Sequence, residues 1–206
     1  MGARVVRGRR RSQPARRVSP DPSGRTHMRL PRPGASAPYD VVLLDRDGTL
    51  NALAPGYRTP DDFALLPRAV DAVARLSAAG CAIVVVTNQQ GLATGRLTWA
   101  QLSAVNARLI AEVEAAGGRI DDVRLCPHAA DTCVCRKPAP GLLCALFDEN
   151  PHVSRERSVM VGDAETDAAA ATAAGVAFMR CEPTIGLAGV VDSLVDDETG
   201  TIPSRW

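Results

Sequence analysis

Asp45 and Asp47 stand two residues apart in the segment LLDRDGTLN, directly after an apolar run at 41–44. Paired carboxylates at a strand end suit phosphoryl transfer. Phosphate monoesters hydrolyse so slowly that a catalyst must bring a nucleophile, charge neutralisation and a proton donor together. Asp45 is placed to attack phosphorus and become an aspartyl-phosphate, and Asp47 to protonate the leaving alkoxide and later activate water. Gly48 permits the sharp backbone turn that exposes both side chains, and Thr49 can satisfy loose backbone groups there. An ordinary Asp-Gly turn would read the same over these few residues. Two acids beside a phosphate dianion require a hard cation, and Mg²⁺, which takes carboxylate, carbonyl, water and phosphate oxygens, is the expected one.

Three other segments supply matching groups. Asp163 in VGDAETD is a further Mg²⁺ ligand candidate, although it is equally placed to cap a helix starting near Ala164, with Glu165 and Asp167 in an acidic first turn. Thr87 in VVVTNQQG closes an apolar run, where its hydroxyl and the amides after it can hold phosphate oxygens. Lys137 in CRKPAPG is the only lysine of the chain. Its retention where every other basic position is Arg points to a task for a compact charge, such as meeting both phosphate and Asp45.

Cys126, His128, Cys133 and Cys135 crowd into CPHAADTCVC. Four soft or borderline donors with no open position make a closed Cys₃His set, the structural type for Zn²⁺, pinning a loop too short to have a core of its own. Cys81, Cys144 and Cys181 are read as small buried apolar residues. Six cysteines so distributed do not make a secreted disulfide scaffold, and a reducing cytoplasmic compartment is expected.

The elements that must position these groups alternate between apolar runs and helical spacing. Strands are predicted at 41–44, 82–86, 122–125, 158–161 and 176–179, and helices at 67–79, 98–116, 141–148 and 164–174. Gly80 ends the first helix, and Thr98 with Gln101 forms a capping box for the second. Repeated βα alternation predicts a doubly wound parallel sheet, an α/β fold whose ligands sit beyond the carboxyl ends of the strands. Each reactive cluster follows a strand.

The net charge of +1 hides an asymmetry: residues 1–38 carry ten Arg against one acid, Asp21, a net +9 that leaves −8 on the rest. Such an Arg, Pro, Ser and Gly-rich stretch is expected to be a disordered tail. Nucleic-acid binding and targeting are alternatives to a dispensable extension with Met28 as the working start. The folded domain is expected over 39–183, and 184–206 gives no clear signal. No apolar run approaches the roughly 20 residues of a membrane span.

Together, LLDRDGTLN, VVVTN, CRKP and VGDAETD resemble the four motifs of the haloacid dehalogenase superfamily. DRDGTLN, TNQQG and CPH…CxCRKPxPG are similar to its histidinol-phosphatase and D,D-heptose 1,7-bisphosphate phosphatase branch, over about residues 40–181. The resemblance implies a capless Rossmann-like fold with a small zinc loop. It implies Asp45 as nucleophile, Asp47 as acid/base, and Thr87 and Lys137 on the phosphoryl group. Mg²⁺ would be held by the Asp45 side chain, the Asp47 carbonyl and Asp163. Asn88, Gln89, Gln90 and Arg136 would contact substrate, with a loop around Gly56 and Tyr57 over the site. The expected substrate is a small phosphorylated metabolite, a sugar bisphosphate of the heptose type, acted on by a monomer.

Two positions depart from the heptose pattern: Thr94 stands where those enzymes often have Arg, and Arg68 where they often have Gly. The short zinc loop is closer in length to the histidinol-phosphatase form, which makes histidinol phosphate the alternative substrate. A zinc-containing nucleic-acid binder with the Arg tail as its arm is the alternative of another class. It leaves Asp45, Asp47, Asp163 and Lys137 without a task, and the −8 body opposes it.

Overall fold

In the computed structural model, residues 29–53 and 59–196 are described. Five short parallel strands form one sheet: β1 (Val41–Leu44), β2 (Ala82–Asn88), β3 (Asp122–Cys126), β4 (Ser158–Gly162) and β5 (Ala177–Arg180), in the order β3-β2-β1-β4-β5. β1 is central, Val42 lying between Ile83 of β2 and Val159 of β4. All four β1 residues are buried, as an apolar strand covered on both faces must be. The strand order runs outward in opposite directions on the two sides of β1, and the cleft that opens at this switch, at the carboxyl ends, is where such sheets bind ligands.

Strand alternation divides the core in two. Val42, Leu44, Ile83 and Val85 face the layer of α1 (Ala69–Ala78) and α2 (Trp99–Ala115), while Val41, Leu43, Val84 and Val86 face α3 (Gly141–Glu149) and α4 (Glu165–Ala174). The capping box expected for α2 is present: Gln101 N donates to Thr98 Oγ1 (3.2 Å) and Thr98 N to Gln101 Oε1 (2.8 Å). At α4 the capping alternative for Asp163 fails. Ala164 holds the N-cap position, and its amide donates to Asp167 Oδ2 (3.2 Å), which leaves the Asp163 side chain for the cleft.

Both ends of the domain extend beyond the expected 39–183. Within the stretch read as tail, Leu30 and Ala37 are buried, Leu30 N donates to Asn150 Oδ1 (2.8 Å), and Gly34 N donates to Gly80 O (3.0 Å). Residues 1–28 and the Gly56–Tyr57 loop lie outside the described residues. Beyond 183, a 3₁₀ turn at Gly186–Gly189 and the short helix α5 (Val191–Val195) bury Leu187, Val191 and Leu194 against α1. No helix among the described residues is long and apolar enough to cross a membrane.

Arg68 occupies the N-cap of α1 with φ 60° and ψ 12°, a left-handed conformation, and makes no side-chain capping bond. A Cβ is disfavoured there by roughly 1–2 kcal/mol, so the departure from Gly at this position concerns the backbone. Arg68→Gly is expected to raise stability by up to about 1 kcal/mol, the gain being reduced by glycine's larger unfolded-state entropy; urea unfolding checks it. A destabilised glycine variant would show that the guanidinium side chain itself supports the fold.

Candidate active site

The carboxyl ends of β1, β2 and β4 bring Asp45, Thr87 and Asp163 to one open pocket of about 180 Å³, lined also by Asp47, Asn88, Lys137 and Asp167. Lys137 lies at its floor, only 3% exposed, with Nζ 2.6 Å from Asp45 Oδ1, 2.7 Å from Asp167 Oδ1 and 2.7 Å from the Val86 carbonyl oxygen. Three acceptors satisfy the three ammonium protons, as a buried charge demands. Burial works against this ammonium, but Asp45 and Asp167 outweigh it and raise its pKa. Burial pushes the Asp45 carboxyl up to about 7, with Lys137 opposing the rise and Asp167 adding to it. Asp163 is also raised, chiefly by burial and then by Asp167.

Asp47 is held from three directions. Arg46 Nη2 approaches its two oxygens at 3.1 and 3.3 Å, Asn51 Nδ2 donates to Oδ1 (2.9 Å) and Gln89 Nε2 to Oδ2 (3.0 Å). Gln89 Nε2 also lies 2.9 Å from Thr87 Oγ1. Asn88 is turned toward the protein: its amide donates to the Lys137 carbonyl oxygen (3.0 Å) and accepts from Lys137 N (3.1 Å), a reciprocal clamp on the backbone of the floor lysine. Of the four expected substrate contacts, Asn88 is hydrogen-bonded to the Lys137 backbone and Gln89 to Asp47 and Thr87, while Gln90 is exposed and Arg136 half-buried.

Asp167 was not singled out from the sequence, where it read as part of an acidic first turn. It lies in the first turn of α4, where its carboxylate pairs with Lys137. Arg46 and Asn51 were also missed, although a basic residue between two acids is a visible signal.

Carboxylate oxygens of Asp45, Asp163 and Asp167 lie within 4.8 Å of one another. Asp167 is engaged by Lys137 and by the Ala164 amide, so Asp45 and Asp163 are the acids left for a cation. These two acids would bring two negative charges, which fits one divalent ion. The backbone of Gly48, at φ 90°, also approaches the Asp163 carboxylate so closely that a Cβ there would lie 2.5 Å from Oδ2. A side chain at position 48 would fill this cradle.

In the second cluster, Cys126 Sγ lies 3.5 Å from Cys133 Sγ and 3.4 Å from Cys135 Sγ, and His128 Nδ1 lies 3.3 Å from Cys135 Sγ and 3.6 Å from Cys126 Sγ. These separations are far beyond a disulfide. They approach the roughly 3.5–3.8 Å edges of a tetrahedron whose Zn–S and Zn–N bonds are about 2.3 and 2.0–2.1 Å long. The cluster ends one residue before Arg136.

Comparison with known proteins agrees with this geometry. A HAD-hydrolase-like family model matches residues 134–180, the stretch holding Lys137, Asp163 and Asp167. The D-glycero-beta-D-manno-heptose-1,7-bisphosphate 7-phosphatase of Pseudomonas putida is 42% identical over 137 residues, 66% of this chain and 78% of that one. Its Escherichia coli K12 counterpart is 36% identical over 144 residues, 66% and 75% of the two chains. The crystal structure of D,D-heptose 1,7-bisphosphate phosphatase from B. bronchiseptica, complexed with magnesium and phosphate, superposes with a TM-score of 0.71 at 31% identity. It covers 77% of this chain and 99% of that one. The chain thus belongs to the haloacid dehalogenase superfamily, in its histidinol-phosphatase and heptose-bisphosphate-phosphatase branch, and is a phosphomonoester hydrolase.

The raised Asp45 value has a consequence for the metal-free protein. Because the folded value near 7 exceeds the ordinary 3.8, the native state alone keeps this proton between those two pH values. The corresponding stability is present below the lower value and is lost as pH rises through the upper one. Asp45→Asn is therefore expected to stabilise the metal-free protein at pH 8, with the gain fading toward pH 4. Thermal unfolding in a chelator measures it, and a gain that grew toward acid would reverse the sign.

Proposed function

We propose that the chain hydrolyses a sugar bisphosphate through an aspartyl-phosphate on Asp45, with D-glycero-D-manno-heptose 1,7-bisphosphate as substrate and its 7-phosphate as the group removed. The observation that carries the chemistry is the pairing of Asp45 with the buried ammonium of Lys137 at the floor of the cleft. The substrate assignment rests on the relatives named for that activity.

In this reading, the Asp45 oxygen not bonded to Lys137 attacks phosphorus, and the ester P–O bond breaks as the new O–P bond forms. Asp47 gives its proton to the departing sugar oxygen. The now anionic Asp47 then takes a proton from water as that water attacks the acyl phosphate, releasing inorganic phosphate and restoring both carboxyl groups. Lys137 Nζ and Thr87 Oγ1 hold the phosphoryl oxygens that gain charge on the way. The Asp45 side chain, the Asp47 carbonyl and Asp163 would hold Mg²⁺, which when bound would supply the positive charge that lets a carboxylate approach a phosphate dianion. Gln90 and Arg136 reach the sugar from the rim. Cys126, His128, Cys133 and Cys135 would hold a structural Zn²⁺, which would fix the loop leading into Arg136 and Lys137.

A phosphatase screen over heptose bisphosphate, histidinol phosphate and nucleotides tests the reading. Heptose bisphosphate should give the highest kcat/KM, and Asp45→Asn should abolish turnover. Asp47→Asn should cost about 10²–10⁴-fold, the range of proton-transfer catalysis. Preference for histidinol phosphate would move the substrate assignment, and activity surviving in Asp45→Asn would remove the nucleophile. Cys133→Ser is expected to lower both zinc content and activity, the latter by on the order of 10²-fold through a displaced Lys137. A zinc-free preparation with full activity would overturn the structural metal.

A further inference from the structure

Arg46 has no exposed surface at all, yet it sits between the two reacting acids. Its direction follows from strand alternation: it continues the parity of Val42 and Leu44, so its side chain enters the α1–α2 layer while Asp45 faces Lys137 on the other side. There Nη1 donates to Asn106 Oδ1 of α2 (2.9 Å), itself buried, and Nη2 turns back to both oxygens of Asp47. Stability alone does not explain a charge at this place. A buried ion pair is often replaceable by apolar side chains of similar volume at no loss, so its retention points to another task.

We propose that Arg46 is a positioning residue for the known hydrolysis: anchored on Asn106, it fixes the rotamer of Asp47 so that the carboxyl is aimed at the leaving oxygen. The guanidinium suits this because its planar fork can bond Asn106 with one nitrogen and the carboxylate with another. Asn51 and Gln89 touch one Asp47 oxygen each, whereas Arg46 Nη2 spans both. The inference rests on the acid/base role proposed for Asp47.

Its test compares two leaving groups in the first turnover. A sugar phosphate leaves as an alkoxide that needs a proton, and p-nitrophenyl phosphate leaves as a phenolate that does not. Arg46→Met and Asn106→Leu should each raise the ratio of p-nitrophenol burst rate to sugar-phosphate cleavage rate, by about tenfold or more for Arg46→Met, since small misplacements cost up to about 10². Arg46→Lys, which keeps the charge and loses the fork, should fall between wild type and Arg46→Met. A merely structural role slows both substrates equally and leaves the ratio unchanged, which overturns the proposal. If neither Arg46→Met nor Asn106→Leu folds, as judged by thermal unfolding, Arg46 belongs to the core and the proposal also fails. Asp47→Asn separates the two levels. A ratio that rises in Asp47→Asn but not in the Arg46 and Asn106 variants removes only this inference, whereas an unchanged ratio in Asp47→Asn removes the acid role on which it stands.

Discussion

One buried ammonium organises this molecule. Lys137 holds its charge with almost no access to water, a placement that costs several kcal/mol unless the charge is paired and hydrogen-bonded. Its partners come from three parts of the chain: Asp45 after β1, the Val86 carbonyl in β2 and Asp167 in the first turn of α4. Those groups converge only if the sheet order is β2-β1-β4 and the strand ends are level, so the pairing at the floor and the parallel register require each other. The surroundings are fitted to the same point. Asn88 clamps the Lys137 backbone, and Gly162 keeps its place because a Cβ there would collide with the Asp167 carboxylate.

Charge accounting explains why the floor is stable and reactive at once. Arg46 pairs with Asp47, and Lys137 with both Asp167 and Asp45, while burial in the first place, and the neighbouring Asp167 after it, shifts Asp45 and Asp163 toward the protonated form. Such a site is strained electrostatically without a cation and relaxed with one. A bound cation would favour the ionised form of Asp45 and so couple its protonation to the ion as well as to bulk pH.

Much of this was legible in the sequence because the chemistry sits where periodicity stops. The apolar run at 41–44 is the observed β1 with the expected limits, and the reactive clusters gather at strand ends, although Thr87 and Asn88 are the last residues of β2 and Cys126 the last of β3 rather than residues beyond them. What escaped has a physical reason in each case. Asp167 has the sequence signature of an acidic first helical turn, and nothing local distinguishes a dipole partner from a lysine partner 30 residues away. Asn88 and Gln89 present the right donors for substrate, but a sequence does not say which way an amide points. Residues 184–196 pack through a 3₁₀ turn and a five-residue helix, too short for a helical period to register. Leu30 docks from an Arg- and Pro-rich stretch whose composition argues for disorder, because a single buried Leu and a few backbone bonds leave no compositional trace.

The distribution of hydrogen bonds also determines where substrate selection must reside. Side chains on the floor are bonded to one another, and they read only features common to any phosphomonoester: a tetrahedral anion and a leaving oxygen. Discrimination therefore falls to groups on the rim. Thr94, at the position where heptose enzymes often carry Arg, spends its hydroxyl on the Gln90 and Gly91 carbonyls (3.3 Å each), closing its own turn and offering no charge. Arg136, next in the chain to Lys137, has a buried Nη1 with no hydrogen-bond partner among the described residues. A buried donor without an acceptor is costly, and an anionic or hydroxyl-rich ligand removes that cost on arrival. Because Arg136 follows directly on Cys135, the Cys₃His loop fixes where this unpartnered donor sits relative to Lys137.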